Sequence, residues 1–228
     1  MSTGALREEE IESRFEATAA VGLVIGLQIA LAVASLAGDW KLIGLPGWIW
    51  LIPTLPEAAL LVPLAFAAPR HRLEQMGRRR TVALSLVGVI TAANALALAA
   101  LIASLLSAQE KSGAELLLKG VTIWSTNVVT FGLLFWELDR GGPMRRGEPD
   151  PPPPDFQFPQ DENPGLAEPN WHPRLVDYVY VSFTNATALS PTDAMPLTRR
   201  MKGLMMAESA ISAITVLLVA ARAVNILK

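Results

Sequence analysis

The chain has 228 residues, of which 51% are apolar and only 18% are charged, and its formal net charge is −2. It contains no cysteine, which excludes disulfides, thiolate metal sites and cysteine nucleophiles. The apolar residues are gathered in long runs, which excludes an ordinary soluble domain and indicates a membrane protein.

Five runs are each long enough to cross a bilayer, since a hydrocarbon core of ~30 Å takes ~20 helical residues. In lipid the backbone must satisfy its own hydrogen bonds, and runs of this length do so as helices. We therefore predict an all-α, multi-pass integral protein of the cell membrane, with the lipid bilayer as its partner and no nucleic acid. The runs cover residues 17–37, 46–68, 81–106, 113–137 and 201–226.

Residues 1–16 lead into the first span with the acidic stretch REEEIESR and predict a short amphipathic helix. A signal peptide starts with a short basic stretch and ends in a small-residue cleavage site, so we expect the first span to be a retained anchor. This span carries one amide side chain, Gln28. The four spans in residues 17–137 are predicted to form one helical membrane domain.

The second span has a carboxyl group, Glu57, at its middle. A charge there costs ~3 kcal/mol on insertion scales, so Glu57 should face protein or water, or be protonated. A structural hydrogen bond and a transport role are both open for it. Three partners are open for it, among which the sequence does not choose: Lys119 on the fourth span, Arg222 on the last span, or the hydroxyl-rich loop near the C-terminus. Further polar residues inside the spans, predicted to hydrogen-bond between helices, are Asn94, Asn127 and Glu208.

Residues 138–173 contain ten of the chain's seventeen prolines, four of them in a row at Pro151–Pro154. Proline fixes φ and lacks an N–H, so we predict an extended, partly ordered linker. The next apolar stretch, residues 175–189, is too short and too polar for a span and predicts a re-entrant helix. The predicted fold is thus five transmembrane helices plus one re-entrant, pore-type helix, with six transmembrane helices as the alternative.

Residues 182–198 read SFTNATALSPTDAMPLT and stand directly before the last span. The stretch resembles the two-helix pore module of potassium channels, in which a short aromatic helix leads into T-x-V-G-Y-G-D, a proline and the inner helix. Thr187, Asp193 and Pro196 keep their places, whereas residues 188–192 replace the glycine-bearing filter. Those glycines allow every carbonyl to point at the axis. The resemblance implies a channel-like protein without potassium selectivity, and a homotetramer.

The loop after residue 188 supplies the candidate pathway. Non-helical backbone at membrane depth is tolerated only where protein or a water-filled cavity shields it. A plain helix-turn-helix, with a capping turn near Asp193, is the structural alternative. The residues predicted to line a pathway or to replace the filter are Asn185, Thr187, Ser190, Pro191, Thr192 and Asp193.

The C-terminal region, residues 174–228, also resembles an uncharacterised family of bacterial multi-span integral membrane proteins. Members end in a D-aromatic-x-Y segment, an F-T step, an S-D or T-D pair, a basic turn and a helix closing on V-N. About a quarter of the chain matches well, and the stretch FWELDRGG matches weakly; a multi-span fold without a known activity is implied. The matching positions are Asp177, Tyr178, Tyr180, Phe183, Thr184, Thr192, Asp193, Arg199, Arg200, Val224 and Asn225.

The distribution of basic residues predicts the orientation, because cytoplasmic loops carry an excess of Lys and Arg. One side holds the N-terminus, the basic segment 70–80 and the Pro-rich linker, whereas the loops of the other side hold only Lys41 and Lys111. The first side is therefore predicted to be cytoplasmic. A potassium-channel pore loop enters from outside, so the charge distribution and the channel resemblance disagree here.

Two functions are open. The first is a channel-like or transport protein whose degenerate filter is not potassium-selective and passes an ion or solute. The second is a non-conducting membrane scaffold or sensor that presents its Pro-rich linker to a cytoplasmic partner. We expect no enzyme, cofactor or metal, because the sequence contains no H-E-x-x-H, phosphate-binding glycine loop or G-x-S-x-G, and its two histidines lack metal-ligand spacing.

Overall fold

The computed structural model describes residues 3–42, 44–107, 112–146, 150–169, 171–189 and 193–226. It is 77% helical, and across these residues the named strands form one ribbon of two residue pairs. The prediction of an all-α protein is confirmed. The helices are α1 (Thr3–Ala37), α2 (Thr54–Ala65), α3 (Ala67–Gln75), α4 (Arg79–Leu106), α5 (Gly113–Leu138), α6 (Pro143–Arg146), α7 (Pro159–Glu162), α8 (Leu175–Ala188) and α9 (Arg199–Ile226); the strands are β1 (Phe156–Gln157) and β2 (Met195–Pro196).

Five helical segments of the described chain are long and apolar enough to cross a membrane, and each overlaps a predicted span. The second differs in detail, since it begins with a 3₁₀ turn and stops at Phe66, whose backbone is extended. Pro69 then falls in the first turn of α3, where a missing N–H is tolerated. The segments are Phe15–Ala37, Gly47–Ala65, Arg79–Leu106, Gly113–Gly141 and Arg199–Arg222.

Helix α5 lies at the centre of the bundle and contacts α1, α4, α8 and α9. It is the least apolar of the five spans but the most buried, because polar side chains avoid lipid when they face protein. Two glycines let its neighbours approach closely: Gly120 faces Val219 on α9, and Gly132 faces Val179 on α8. The buried polar and charged side chains of α5 are Glu115, Lys119, Thr122, Thr126, Asn127, Thr130 and Glu137.

Helices α8 and α9 both run antiparallel to α5. Along α8, Val179 lies against Gly132, and Ser182 bonds the carbonyl of Val128. Along α9, Arg200 bonds the carbonyl of Leu138, whereas Val219 lies against Gly120. The two helices therefore start at the same end of α5. We call this the basic end, since Arg79, Arg140 and Arg174 lie there too.

The chain returns to the basic end after α8. This helix has 14 residues, which is about 21 Å at 1.5 Å per residue. Strand β2 then pairs with β1, and the amide of Leu197 donates to the carbonyl of Asp155 at 2.8 Å. Because β2 directly precedes α9, the chain is back at the end at which α8 began by Met195.

The Pro-rich segment differs from the predicted extended loop. Phe156 and Phe158 are buried, and their rings pack against Phe135 on α5 and Tyr178 on α8 at centroid distances of 5.3 and 5.4 Å. Large aromatic side chains gain much by burial, so these two fasten the segment to the core despite its prolines. Residues 151–154 and 163–169 keep the predicted character, without helix or strand and largely exposed.

Gly132→Ala should destabilise the bundle. The new Cβ would lie 2.8 Å from Val179 Cγ2 and 2.9 Å from Val179 Cα, so α5 and α8 must move apart. Overpacking of this kind costs about 1–3 kcal/mol, measurable as a lower thermal-unfolding midpoint in detergent. Gly88→Ala is the matched control, because its Cβ meets open space and alanine is the better helix former; equal midpoints for the two variants would contradict the packing.

Candidate functional site: buried carboxyls on both sides of the central helix

A set of polar side chains, which we call the central polar cluster, joins α5, α8 and α9. Every member is at most 3% exposed. Its members on α5 and α9 lie well inside two of the helical segments that are long and apolar enough to cross a membrane. Its members are Asn127, Ser182, Asn185, Glu208 and Ser212.

Glu208 on α9 is the acceptor at the middle of this cluster. The side-chain amide of Asn185 donates to its Oε2 at 2.7 Å, and the hydroxyl of Ser182 closely contacts its Oε1. Asn127 donates to the Glu208 carbonyl at 3.2 Å and to Ser212 Oγ at 2.9 Å. Within the described residues, no Lys, Arg or His side chain pairs with the Glu208 carboxyl, so only neutral groups hold it.

The Ser182 hydroxyl contacts two acceptors but has one proton to donate. Its oxygen lies 2.7 Å from the Val128 carbonyl oxygen and also contacts Glu208 Oε1. A hydroxyl carries one proton and donates to one acceptor at a time. If Ser182 donates to Val128, its contact with Glu208 needs a proton from the carboxyl itself. A protonated Glu208 therefore satisfies both contacts at once.

A second buried carboxyl, Glu57, lies on the other side of α5. It is 0% exposed, and Gln28 Nε2 on α1 donates to its Oε1 at 3.0 Å. Lys119, one of the three partners that the sequence left open, instead bonds Glu115 at 2.6 Å and the Lys41 carbonyl at 3.4 Å. The partner was visible in the sequence as the one amide in the first span, but sequence gives no distance between spans.

The predicted pathway residues do not all meet. Asn185 belongs to the central polar cluster, whereas Thr187 is exposed and donates to the Phe183 carbonyl in its own helix at 2.7 Å. Two residues along a helix turn the side chain by about 200°, which separates Thr187 from Asn185. Asp193 is exposed in the loop before β2. Three of the predicted residues lie outside the described part of the chain: Ser190, Pro191 and Thr192.

The three predicted interhelical hydrogen-bonders have different surroundings. Asn127 and Glu208 join the central polar cluster, with Asn127 contributing two bonds between α5 and α9. Asn94 is buried on α4, at 7% exposure. The cluster also contains Ser182 and Ser212, which sequence reasoning missed. Their only signal was a small hydroxyl residue within helical reach of Asn185 and Glu208, and hydroxyls of this kind are common in membrane helices.

At the basic end, the Asp139 carboxylate links three chain segments by hydrogen bonds. Its Oδ1 accepts from the backbone amides of Asp155 and Phe156 at 2.6 and 3.2 Å, and its Oδ2 accepts from the Tyr178 hydroxyl at 2.5 Å. The side chain is 0% exposed. A single carboxylate thus fastens the end of α5 to the Pro-rich segment and to the first turn of α8.

Arg146 covers the same junction. Its guanidinium carbon lies 4.8 Å from the ring centroid of Tyr178, and its N–H groups donate to the carbonyls of Trp136 and Pro173. Burial raises the pKa of the Tyr178 hydroxyl well above its usual value, and burial lowers the pKa of Arg146. Tyr178 therefore stays neutral and remains a hydrogen-bond donor to Asp139 at physiological pH.

A small, mostly apolar cleft opens at the basic end between α1, α2, α4 and α5. The ion pair between Arg79 and Glu137, 2.6 Å long, contributes to its lining. Neither Glu57 nor Glu208 lines this cleft. Both carboxyls are thus enclosed by protein at some depth from this surface.

No protein-family model, curated protein or solved structure matches this chain. The class of protein therefore follows from the structure alone. Its described residues form a helical bundle with five segments long and apolar enough to cross a membrane, around a central helix that carries more buried polar side chains than any other described helix. This defines an all-α membrane protein with carboxyl groups buried at membrane depth.

Asp139→Ala should loosen the basic end. The change leaves the Tyr178 hydroxyl and two backbone amides without their acceptor, and each buried unsatisfied donor costs roughly 1–3 kcal/mol. We expect a lower unfolding midpoint in detergent and faster proteolysis within residues 150–169. Asp150→Ala is the control, since Asp150 is exposed. An Asp139→Ala protein as stable and as protease-resistant as the control would contradict this role.

Proposed function

We propose that this chain is a channel-like or transport protein whose central polar cluster passes protons across the membrane, either alone or coupled to a solute. The observation that carries the proposal is the position of Glu208, fully buried in a span and held only by neutral donors. A carboxyl at membrane depth is expensive, and functional pathways are the usual reason for one.

The surroundings of Glu208 favour a proton over a metal cation. The amide of Asn185 points its N–H at the carboxyl, and a positively polarised hydrogen repels a cation. The Ser182 hydroxyl links Glu208 to the Val128 carbonyl, so a proton on Glu208 has a ready acceptor. Proton relays in membranes use buried carboxyls joined to hydrogen-bonding side chains in this way.

In this proposal α8 is a re-entrant helix. It starts at the basic end, runs beside α9 in the same direction, and the chain returns to the basic end at β2. By the distribution of Lys and Arg the basic end is cytoplasmic, so the helix enters from the cytoplasm. That direction is opposite to a potassium-channel pore helix, whose filter this loop resembles only in part.

The exposed residues Thr187 and Asp193 have a role in this proposal only if several copies of the chain assemble. On one chain they face outward, so they can border a pathway only where copies of the chain meet. The homotetramer that the channel resemblance implies would place α8 and the following loop around a common axis. Asn185 would then connect that axis to Glu208.

A proton-flux assay tests the proposal. Purified protein is reconstituted in liposomes that contain a pH-sensitive dye, and a potassium diffusion potential drives protons inward. Wild type should acidify the lumen faster than empty liposomes, and Glu208→Gln should reduce the rate to that of empty liposomes, because an amide carries no exchangeable acid proton. Glu162→Gln is the control, since Glu162 is an exposed carboxyl outside the spans.

Wild-type liposomes no faster than empty ones would overturn the proposal. A Glu208→Gln protein as fast as wild type would remove Glu208 from the pathway. The first result would favour the second function, a non-conducting scaffold or sensor. The structural support for that alternative is the exposed Pro151–Pro154 stretch, whose extended form suits recognition by a proline-binding partner.

The re-entrant course of α8 has its own test, because the chain has no native cysteine. In sealed inside-out vesicles, Asp193→Cys should react with a membrane-impermeant maleimide and Lys41→Cys should not. Lys41 lies beyond the opposite end of the bundle, near Lys119, and both positions are exposed. In right-side-out vesicles the pattern should reverse. Labelling of both positions from the same side would contradict a re-entrant helix.

A further inference from the structure

We propose that Glu57 and Gln28 form a proton-binding site of their own, in which a protonated carboxyl and a carboxamide hold each other in a hydrogen-bonded ring. The site is distinct from the central polar cluster, and the inference stands whether or not the chain passes protons through Glu208. It rests on the numbers of hydrogen-bond donors and acceptors that the two side chains, one on α1 and one on α2, present to each other.

One half of the ring is present as a hydrogen bond. Gln28 Nε2 donates to Glu57 Oε1 at 3.0 Å. The two remaining oxygens, Gln28 Oε1 and Glu57 Oε2, are buried and have no hydrogen-bond partner among the described residues. Both are acceptors when Glu57 is ionised, so neither can satisfy the other.

A single added proton would give both unpaired oxygens a hydrogen-bond partner. On Glu57 Oε2 it turns that oxygen into a donor, and the unsatisfied acceptor on the partner side chain is Gln28 Oε1. The carboxyl and the amide then exchange two hydrogen bonds, N–H to carboxyl oxygen and O–H to amide oxygen. Buried polar groups in native proteins are nearly always paired, and the ring pairs every polar atom of both side-chain ends except one amide hydrogen.

The described segments that flank Glu57 on the elements packed against α2 supply no charged side chain to hold it in the ionised form. Of the elements packed against α2, residues 17–37 of α1, residues 81–106 of α4 and the 3₁₀ turn Gly47–Leu51 contain no Asp, Glu, Lys, Arg or His. The charged residues of α3 come after the far end of α2. On α5, Glu115 and Lys119 pair with each other.

The depth of the pair also favours the neutral acid. Gln28 is nine residues from the end of its span at Ala37, which is about 14 Å along a helix. A bound Ca²⁺ or Mg²⁺ would take about six oxygens or more, whereas the pair has three side-chain oxygens, one of which already accepts a hydrogen bond. A proton is the one ligand whose coordination this site completes.

Infrared difference spectroscopy of the full chain in liposomes at neutral pH tests the ring. The wild-type minus Glu57→Gln spectrum should contain the carbonyl band of one protonated carboxyl. In Gln28→Leu that band should persist but move to higher frequency, because the acid loses both hydrogen bonds of the ring. A carboxylate band in place of the acid band would overturn the site, and an unmoved band in Gln28→Leu would overturn the pairing.

A labelling experiment keeps the test independent of how the variants fold. An apolar carbodiimide reacts with protonated carboxyls in membranes, and peptide mapping by mass spectrometry separates Glu57 from Glu208. In wild type, Glu57 should be modified at neutral pH, less as the pH rises, and equally in sodium and potassium buffers. Absence of modification, or protection by sodium, would overturn a proton site. Because Glu208 is read on another peptide, failure of the proposed transport and failure of this inference give different results.

Discussion

Lipid offers no hydrogen bonds, and this constraint decides the arrangement of the whole chain. A polar group at membrane depth must find a protein partner or pay the full desolvation penalty. Helix α5 carries more polar residues than any other span, so it occupies the centre, where four helices surround it. Gly120 and Gly132 make that position sterically accessible. The more apolar helices α1, α4 and α9 can then face the lipid on their outer sides.

The same constraint explains why both carboxyls lie against amides and hydroxyls instead of bases. An ion pair in this environment loses two hydration shells, whereas a neutral acid held by neutral donors loses little. Glu208 has Ser182 and Asn185, and Glu57 has Gln28. Ion pairs lie nearer the two ends of the bundle: Arg79 pairs with Glu137 at the basic end, and Lys119 pairs with Glu115 towards the opposite end.

Sequence reasoning predicted the number and approximate bounds of the spans because length and apolarity determine them directly. It also identified Asn127 and Glu208 as interhelical hydrogen-bonders, because polar residues inside spans have few alternatives. It did not identify the partner of Glu57, and it was wrong about the character of the Pro-rich segment. A partner depends on which helix faces meet, and Phe156 and Phe158 outweigh the prolines through burial that only a tertiary structure reveals.

The resemblance to a pore module concerns the course of the backbone more than the positions of the side chains. The course of α8 and the following return are compatible with it, but Thr187 turns away from Asn185 because helical geometry separates positions two residues apart. A motif match fixes the spacing of residues along the chain and leaves open the face on which each one lies. The direction in which α8 points is likewise decided by its packing against α5, which the motif does not contain.

The ribbon of β1 and β2 has a mechanical consequence. Pro154 stands two residues before β1, and Asp193 stands two residues before β2, so the exposed proline run and the loop after α8 are attached to opposite strands of one short pair. Consecutive prolines are stiff and transmit a pull with little slack. A force applied to Pro151–Pro154 would therefore be transmitted through this ribbon to the chain at Asp193.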